Sequence, residues 1–349
     1  MLSMICVTAL VVGTLLASTL AVRLPAVPAI IAGQPAPSAS GVAVAPDHSV
    51  WIGMIGSGSI VHVAGHATTV VTTSRDQEPF DIVPLPDGRV LFNEFGPSMT
   101  GQMSEPIPRI GCVAPRGTCA SISLPRPFVG VDSFVVNRFG QIAVIDTRAA
   151  VYGRRTVAGI QVYNPPAGYF PNAIAVADDG AFWFALSPKA GKRPGGSGLL
   201  VRIDRMGRMT QKAIPANESI LLVASNGQGI VYAAGTPSNH VLFRFVAYTA
   251  EAGIVPGPPL HVQGDLSDFV VQDRRHVWIV LNSALGTLRE LDVTGAVRTV
   301  QIPELRGQVI SGIAADGGIL WCATPSNRLF AFDFSKLARA YTNSSRKGV

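Results

Sequence analysis

Short apolar runs recur along the chain in pairs, with a polar turn between the two runs of each pair. In four pairs the second run carries a tryptophan, at Trp51, Trp183, Trp278 and Trp321. The runs are nearly continuously apolar, which is typical of strands covered on both faces. The turns contain Asp-Gly, Asn-Gly or Asp-His, residues that tolerate the positive φ angles of tight hairpins. The pattern predicts repeated β-hairpins.

Three further pairs lack tryptophan, and their equivalent positions are Leu91, Ala143 and Val231. The seven positions follow one another at spacings of 40, 52, 40, 48, 47 and 43 residues. Such a period, with a second hairpin ending in an apolar-Pro step as at Pro215 and Pro303, is typical of propeller blades. We therefore predict an all-β fold, a seven-bladed β-propeller of four-stranded antiparallel blades. Six or eight blades, or an open β-sandwich, are the alternatives.

The predicted propeller covers residues 40–334, and residues 335–349 form a C-terminal tail. Met4 to Val22 is apolar or small throughout, and Thr19-Leu20-Ala21 is a small-residue cleavage site. Residues 1–22 therefore predict a signal peptide or, because such a stretch can span a bilayer, a membrane anchor. Residues 23–39 form a Pro-rich linker. The last blade lacks a clear fourth strand, and we expect residues 26–32 to supply it and close the ring.

Charge and cysteine usage narrow the possible partners and the compartment. The formal charge is +6, but the basic residues are scattered and no basic patch is interleaved with aromatic residues, which argues against nucleic-acid binding. If residues 115 and 116 form a two-residue turn, Cys112 faces Cys119 within disulfide range. Two unpaired thiols are the alternative. We expect a monomer that is secreted, periplasmic or in the cell envelope.

The chain repeats an apolar strand, an Asp-Gly turn and a Trp-Phe step, followed by a third strand with an Arg-apolar step before Gly and Leu-Pro. This repeat resembles that of the streptogramin B lyase family. The resemblance covers about residues 40–334. It implies a seven-bladed propeller and a Mg²⁺-assisted elimination that opens a cyclic depsipeptide at a C–O bond, with His and Glu residues on one face. Glu94 alone matches the family's functional Glu and is the candidate catalytic residue. No inner strand begins with His, so this elimination would lack a general base.

Propeller ligands bind where the starts of the inner strands and the loops after the second strands converge. The candidate ligand-binding residues at this rim are Asp81, Asp132, Asp146, Asn172 and Asp268. Carboxylate oxygens suit Mg²⁺ or Ca²⁺, and Asp81, Glu94 and Asp132 are the candidate metal ligands. Alternatively, the Asp side chains cap backbone amides of neighbouring strands and stiffen the rim.

These observations favour an exported propeller that binds a small molecule, a peptide or an envelope protein at its channel rim, without catalysis of its own. A metal-assisted C–O lyase that uses Glu94 is the first alternative. A structural propeller anchored in the cell envelope is the second.

Overall fold

The computed structural model describes residues 18–27, 37–73, 78–96, 105–114, 117–189, 197–215, 218–227, 229–235, 240–281 and 286–335. The described strands form seven antiparallel sheets, which are the blades of a β-propeller. The sequence-based prediction of seven blades is therefore confirmed. One 3-10 turn, η1 (Pro303–Leu305), lies between the sixth and seventh blades.

Each blade is built from consecutive strands, and the first three blades have the following bounds. Blade 1 contains β2 (Ser38–Val44), β3 (Val50–Ile55), β4 (Ser59–Ala64) and β5 (Ala67–Thr72). Blade 2 contains β6 (Glu78–Pro84), β7 (Val90–Gly96), β8 (Glu105–Ala114), β9 (Gly117–Thr118) and β10 (Ile122–Ser123). Blade 3 contains β11 (Ser133–Val136), β12 (Ile142–Asp146), β13 (Val151–Thr156) and β14 (Gly159–Tyr163).

The remaining blades continue the order. Blade 4 contains β15 (Tyr169–Val176), β16 (Phe182–Pro188), β17 (Leu199–Ile203) and β18 (Met209–Ala213). Blade 5 contains β19 (Ser219–Ser225), β20 (Gly229–Gly235), β21 (His240–Thr249), β22 (Gly253–Pro256) and β23 (Leu260–Gln263). Blade 6 contains β24 (Leu266–Val271), β25 (His276–Leu281), β26 (Thr287–Asp292) and β27 (Val297–Gln301). Blade 7 contains β28 (Gly312–Asp316), β29 (Ile319–Thr324), β30 (Arg328–Asp333) and, from the opposite end of the chain, β1 (Ser18–Arg23).

The hydrophobic core is divided among the contacts between blades. Seven buried clusters occur in the described residues, and each joins two neighbouring blades around the ring. Trp183 and Trp278 are fully buried in two of them. Strands covered on both faces explain the continuous apolar runs of the sequence. The hairpin turns also follow the prediction, since His48 and Gly88 have φ angles of 66° and 83°.

The closing strand differs from the sequence-based expectation. We expected residues 26–32 to complete the last blade, but β1 pairs antiparallel with β30, from Ser18 opposite Phe332 to Arg23 opposite Arg328. Residues 28–36 lie outside the described residues. The earlier segment pairs with the open edge of β30 because it places Val22 in the core while Ala21 and Arg23 stay exposed. As expected, a segment before blade 1 completes the last blade, but it is residues 18–23.

Local pairing in blade 2 brings two cysteines together. Val113 lies opposite Thr118 and Ala114 opposite Gly117, which is the register expected for a turn at residues 115 and 116. A disulfide joins Cys112 to Cys119, with the Cα atoms 5.2 Å apart. In the described part of the chain, no helix is long and apolar enough to cross a membrane.

Candidate functional site

A β-bulge stands at the start of every inner strand. The pairing register shifts between Ala39 and Val42 in blade 1, and corresponding shifts occur in blades 2, 4, 5 and 6. In blade 3, Ser133 lies opposite Ile145, and the amide of Asp132 also donates to the carbonyl of Ile145. In blade 7, Gly312 lies opposite Ala323, and the amide of Ser311 also donates to the carbonyl of Ala323. A bulge leaves a residue unpaired and redirects its side chain. We call these positions the bulge ring: Ser40, Phe80, Asp132, Asn172, Leu221, Ser267 and Ser311.

Two carboxylates beside the bulge ring link neighbouring blades. Asp81, next to Phe80, accepts hydrogen bonds from the hydroxyl of Ser133 and the amide of Phe134 in blade 3. Asp268, next to Ser267, accepts from its neighbour Phe269 at 2.8 Å and from the amide of Ile313 in blade 7 at 3.3 Å. These bonds agree with the expectation that Asp side chains at the rim cap backbone amides of adjacent strands.

Burial disfavours the charged forms of these two carboxylates. Removal from bulk water raises the pKa of Asp81 to about 6 against the hydrogen bonds that favour its charged form, and the charge of Asp132 raises it further. Burial likewise raises the pKa of Asp268 to about 6, with an added contribution from Asp81. Burial is the main cause in both residues, and the charges of Asp132 on Asp81 and of Asp81 on Asp268 add smaller contributions at this end of the channel. We call this end the acidic mouth.

Asp132 and Asn172, which were also predicted at the rim, form hydrogen bonds within the propeller. Asp132 accepts the amide of Thr147 in its own blade. The side-chain amide of Asn172 donates to the carbonyl of Ile220 in the next blade. Asn93, which sequence reasoning did not select, accepts the amide of Asp81 and donates to the carbonyl of Asp132 at 3.2 Å. Amide side chains thus hold the bulges of adjacent blades in place.

Glu94 and Asp146 are occupied by other partners. Glu94 is buried and accepts the guanidinium of Arg109, with an Nε–Oε2 distance of 2.7 Å. Burial raises the pKa of Glu94, and the charge of Arg109 opposes this shift. Asp146 is fully buried and accepts the amides of Val129 at 2.6 Å, Gly130 at 2.9 Å and Ala149 at 2.9 Å. It organises the loops beside its strand.

The donors at the mouth do not fit a resident Mg²⁺ or Ca²⁺ ion. Within the described ranges, no three His, Cys, Asp or Glu side chains are placed to hold one metal ion. Of the candidate ligands, Glu94 is paired with Arg109, and Asp81, Glu94 and Asp132 are not grouped around one point. The hard, charged oxygen set that these cations require is therefore not assembled by these residues.

Apolar side chains stand beside the carboxylates. Phe80 and Leu221, both in the bulge ring, are each 40% exposed, and each directly follows a buried residue of its strand. Ile55 at the end of β3, Val129 before β11 and Val309 before β28 are also exposed at this end of the propeller. Sequence reasoning missed these residues because an apolar residue in an apolar run is assigned to the core unless the bulge is known.

The architecture and the mouth define a seven-bladed β-propeller with a polar, partly apolar channel opening. No protein-family model matches the chain, and no curated protein matches its sequence. Several solved structures are similar to this chain. The virginiamycin B lyase of Staphylococcus aureus is similar with a TM-score of 0.62 and 17% identity, over 84% of this chain and 94% of that chain.

Two other structures show the same likeness. A streptogramin B lyase gives a TM-score of 0.64 and 16% identity, over 87% of this chain and 96% of that chain. YCF48 bound to D1 peptide gives a TM-score of 0.58 and 10% identity, over 89% of this chain and 94% of that chain. At these identities the likeness establishes the fold, in agreement with the repeat pattern of the sequence.

Proposed function

We propose that this protein is an exported, non-catalytic binding propeller, and that its acidic mouth holds a small molecule or peptide through a positively charged group. The observation that carries the proposal is the pair Asp81 and Asp268, which occupy equivalent positions beside the bulges of the inner strands of blades 2 and 6. Burial, more than neighbouring charge, raises their pKa values, so the ionised carboxylates are poorly solvated and an entering cation would stabilise them.

Apolar surface at the same opening gives the ligand a second requirement. Phe80 and Leu221 are part of the bulge ring and remain 40% exposed, so a ligand body resting on them would remove apolar surface from water. A protonated amine attached to an aliphatic or aromatic body satisfies both the charge and the apolar contacts. Lysine side chains and peptide N-termini belong to this chemical class. The solved propeller YCF48 is described as bound to a peptide, which makes a peptide a reasonable occupant of a propeller surface.

The lyase alternative has less support from the site. No position of the bulge ring is a histidine, and His48 and His276 lie at hairpin turns on the opposite end of the blades. Glu94, the candidate catalytic residue, is held by Arg109. The guanidinium of Arg109 occupies the carboxylate of Glu94, which makes this residue poorly placed to abstract a proton from a depsipeptide.

Calorimetric titration at pH 7.5 tests the proposal with matched probes. The charged probes are phenethylamine and the peptide acetyl-Leu-Lys-Phe-amide, and the neutral probes are phenethyl alcohol and the same peptide with acetylated lysine. We expect saturable binding of the charged probes only. It should be lost in the double variant Asp81→Asn/Asp268→Asn. Absence of binding, equal binding of the neutral probes, or unchanged binding by the double variant would overturn the proposal.

Catalysis is tested separately with a cyclic depsipeptide of the streptogramin B class and Mg²⁺. The expected result is recovery of the cyclic compound. A linear product of unchanged mass but shifted retention time would overturn the non-catalytic part of the proposal and support the lyase alternative.

A further inference from the structure

The outer strand of blade 7 comes from the apolar N-terminal segment. β1 forms five register pairs with β30, from Ser18 to Arg23. Blade 7 would otherwise have three strands and an open β30 edge, since the described residues that follow β30 contribute no further strand. An open apolar edge is a site for unwanted pairing with other chains. Residues 18–23 are therefore part of the ring itself.

Side-chain burial and hydrogen bonds tie this segment to both ends of the ring. Val22, Leu24 and Val27 are buried in one cluster with Leu329 of blade 7 and Ile52 of blade 1. The amide of Leu24 donates to the carbonyl of Asn327 at 2.8 Å.

The side chain of Asn327 extends the same connection to blade 1. Its Oδ1 accepts the amide of Ala39 at 3.1 Å, and its Nδ2 donates to the carbonyl of Pro37 at 2.9 Å. The junction of the first and last blades therefore depends on residues 18–27 for its packing and its backbone pairing.

Membrane insertion and ring closure compete for the same residues. The apolar stretch from Met4 to Val22 has 19 residues, enough to span a bilayer as a helix. If Ser18 to Val22 belong to β1, only 14 residues, Met4 to Ala17, remain. A run of 14 is shorter than the about 20 apolar residues that are typical of a membrane-spanning segment. That length matches the apolar core of a secretory signal peptide instead.

We propose that processing on export leaves Ser18 to Arg23 on the mature protein, with hydrolysis at the Ala17–Ser18 bond or upstream of it. Water adds across the cleaved peptide bond, giving a carboxylate on the released segment and an amine on the mature chain. A host signal peptidase is the enzyme class required. The cut at Ala21 that the small-residue motif suggests would instead divide β1. The proposal depends on the export part of the proposed function and is independent of ligand binding.

Two measurements on the protein recovered from an exporting bacterial host test this inference. Intact-mass analysis should place the mature N-terminus at Ser18 or an earlier residue. A chain beginning at Val22, or the uncleaved precursor, would overturn it. Ligand titration of the same sample reports on the acidic mouth, so a failure of processing and a failure of binding can be told apart.

Thermal unfolding tests the structural reason. A chain starting at Ser18 should keep the melting temperature of the longest exported form, whereas a chain starting at Leu24 should lose about 10 °C or more. In the full chain, Val22→Asp should cause a similar loss, because Val22 is buried, and the neighbouring Ala21→Asp should not, because Ala21 is exposed. If the shortened chain fails to fold, adding a synthetic peptide of residues 18–27 should restore the native melting transition. Equal stability of the Ser18 and Leu24 chains would overturn the inference.

Discussion

Asp81 and Asp268 occupy equivalent positions in blades 2 and 6, and each accepts a backbone amide from the blade that follows it. The donor is Phe134 in one case and Ile313 in the other, which are themselves equivalent residues of blades 3 and 7. The repeat thus extends from the strand pattern to a polar connection between blades. Because both carboxylates lie beside the bulges at the starts of inner strands, the connection that stiffens the ring is part of the candidate binding site.

The first prediction concerns pH and stability. The pKa of Asp268 is about 6 in the folded protein and 3.8 as the ordinary value, so the folded state binds this proton more tightly. Ionisation of Asp268 therefore lowers the stability of the folded protein, and this loss develops as the pH rises from about 4 to 6. Asp268→Asn, which removes this charge and keeps an acceptor oxygen, should raise the melting temperature at pH 7.5 and leave it unchanged at pH 4.

Asp204→Asn is the matched control for this prediction. The hydrogen bond and charge of Arg208 outweigh burial and hold the pKa of Asp204 below its usual range, so ionised Asp204 stabilises the folded state. This stability is present above pH 4 and is lost as the pH falls through the folded pKa. Asp204→Asn should lower the melting temperature at pH 7.5. If Asp268→Asn lowered it as well, the assigned raised pKa of Asp268 would be wrong.

The second prediction tests the apolar part of the acidic mouth. Phe80→Ser and Leu221→Ser should each weaken binding of acetyl-Leu-Lys-Phe-amide about five- to tenfold, because each removes apolar contact with the ligand body. The control is Val157→Ser, since Val157 is exposed at a turn on the opposite end of the blades. Fluorescence anisotropy with a labelled peptide measures the dissociation constants. Equal affinity in all three variants would separate Phe80 and Leu221 from the ligand site.

The third prediction concerns the disulfide between Cys112 and Cys119. Closing this short loop restricts the unfolded chain and should contribute roughly 2–3 kcal/mol on the chain-entropy model. Denaturant unfolding with and without a reductant should show this difference. Reductant should have no effect on the double variant Cys112→Ala/Cys119→Ala. A reductant effect that persists there would have to come from elsewhere, and the other described cysteine, Cys322, is buried and unpaired.

The fourth prediction concerns a buried polar triad in blade 5. Glu218 is 5% exposed and accepts hydrogen bonds from Arg244, at 2.6 Å from Nη2, and from the hydroxyl of Tyr232, also at 2.6 Å. Glu218→Ala leaves a buried guanidinium without its counter-charge, which should cost about 3–5 kcal/mol in the free energy of unfolding.

Asp87→Ala serves as the comparison for this triad. The Asp87–Arg89 ion pair is solvent-exposed, so its loss should cost less than about 1 kcal/mol. Chemical denaturation measures both variants under the same conditions. A loss in Glu218→Ala as small as that in Asp87→Ala would show that the triad does not stabilise blade 5.

Much of the fold follows from local sequence. Alternation of apolar runs with Asp-Gly turns predicts hairpins, and a period near 45 residues predicts blades, because each blade repeats one local packing problem. The Cys112–Cys119 pairing is also local, since seven residues and one turn decide the distance between the two cysteines. The equivalence of Asp81 and Asp268 could likewise be read from the aligned repeats.

The site required the tertiary structure because its properties depend on residues that are remote in sequence. Arg109 neutralises Glu94 through an adjacent strand, and three loop amides enclose Asp146, so neither carboxylate is available at the mouth. Bulges expose Phe80 and Leu221, which an apolar pattern alone assigns to the core.

The same division holds for ring closure. The sequence by itself determined the repeating blades, their turns and the need for one more strand. Only the tertiary structure decided that Ser18 to Arg23 supplies it. Two apolar segments could form that strand, and the choice depends on which one can reach β30 while burying Val22 between the first and last blades. The energy of burying Val22 between the first and last blades depends on residues far apart in sequence, so no local sequence pattern predicts it.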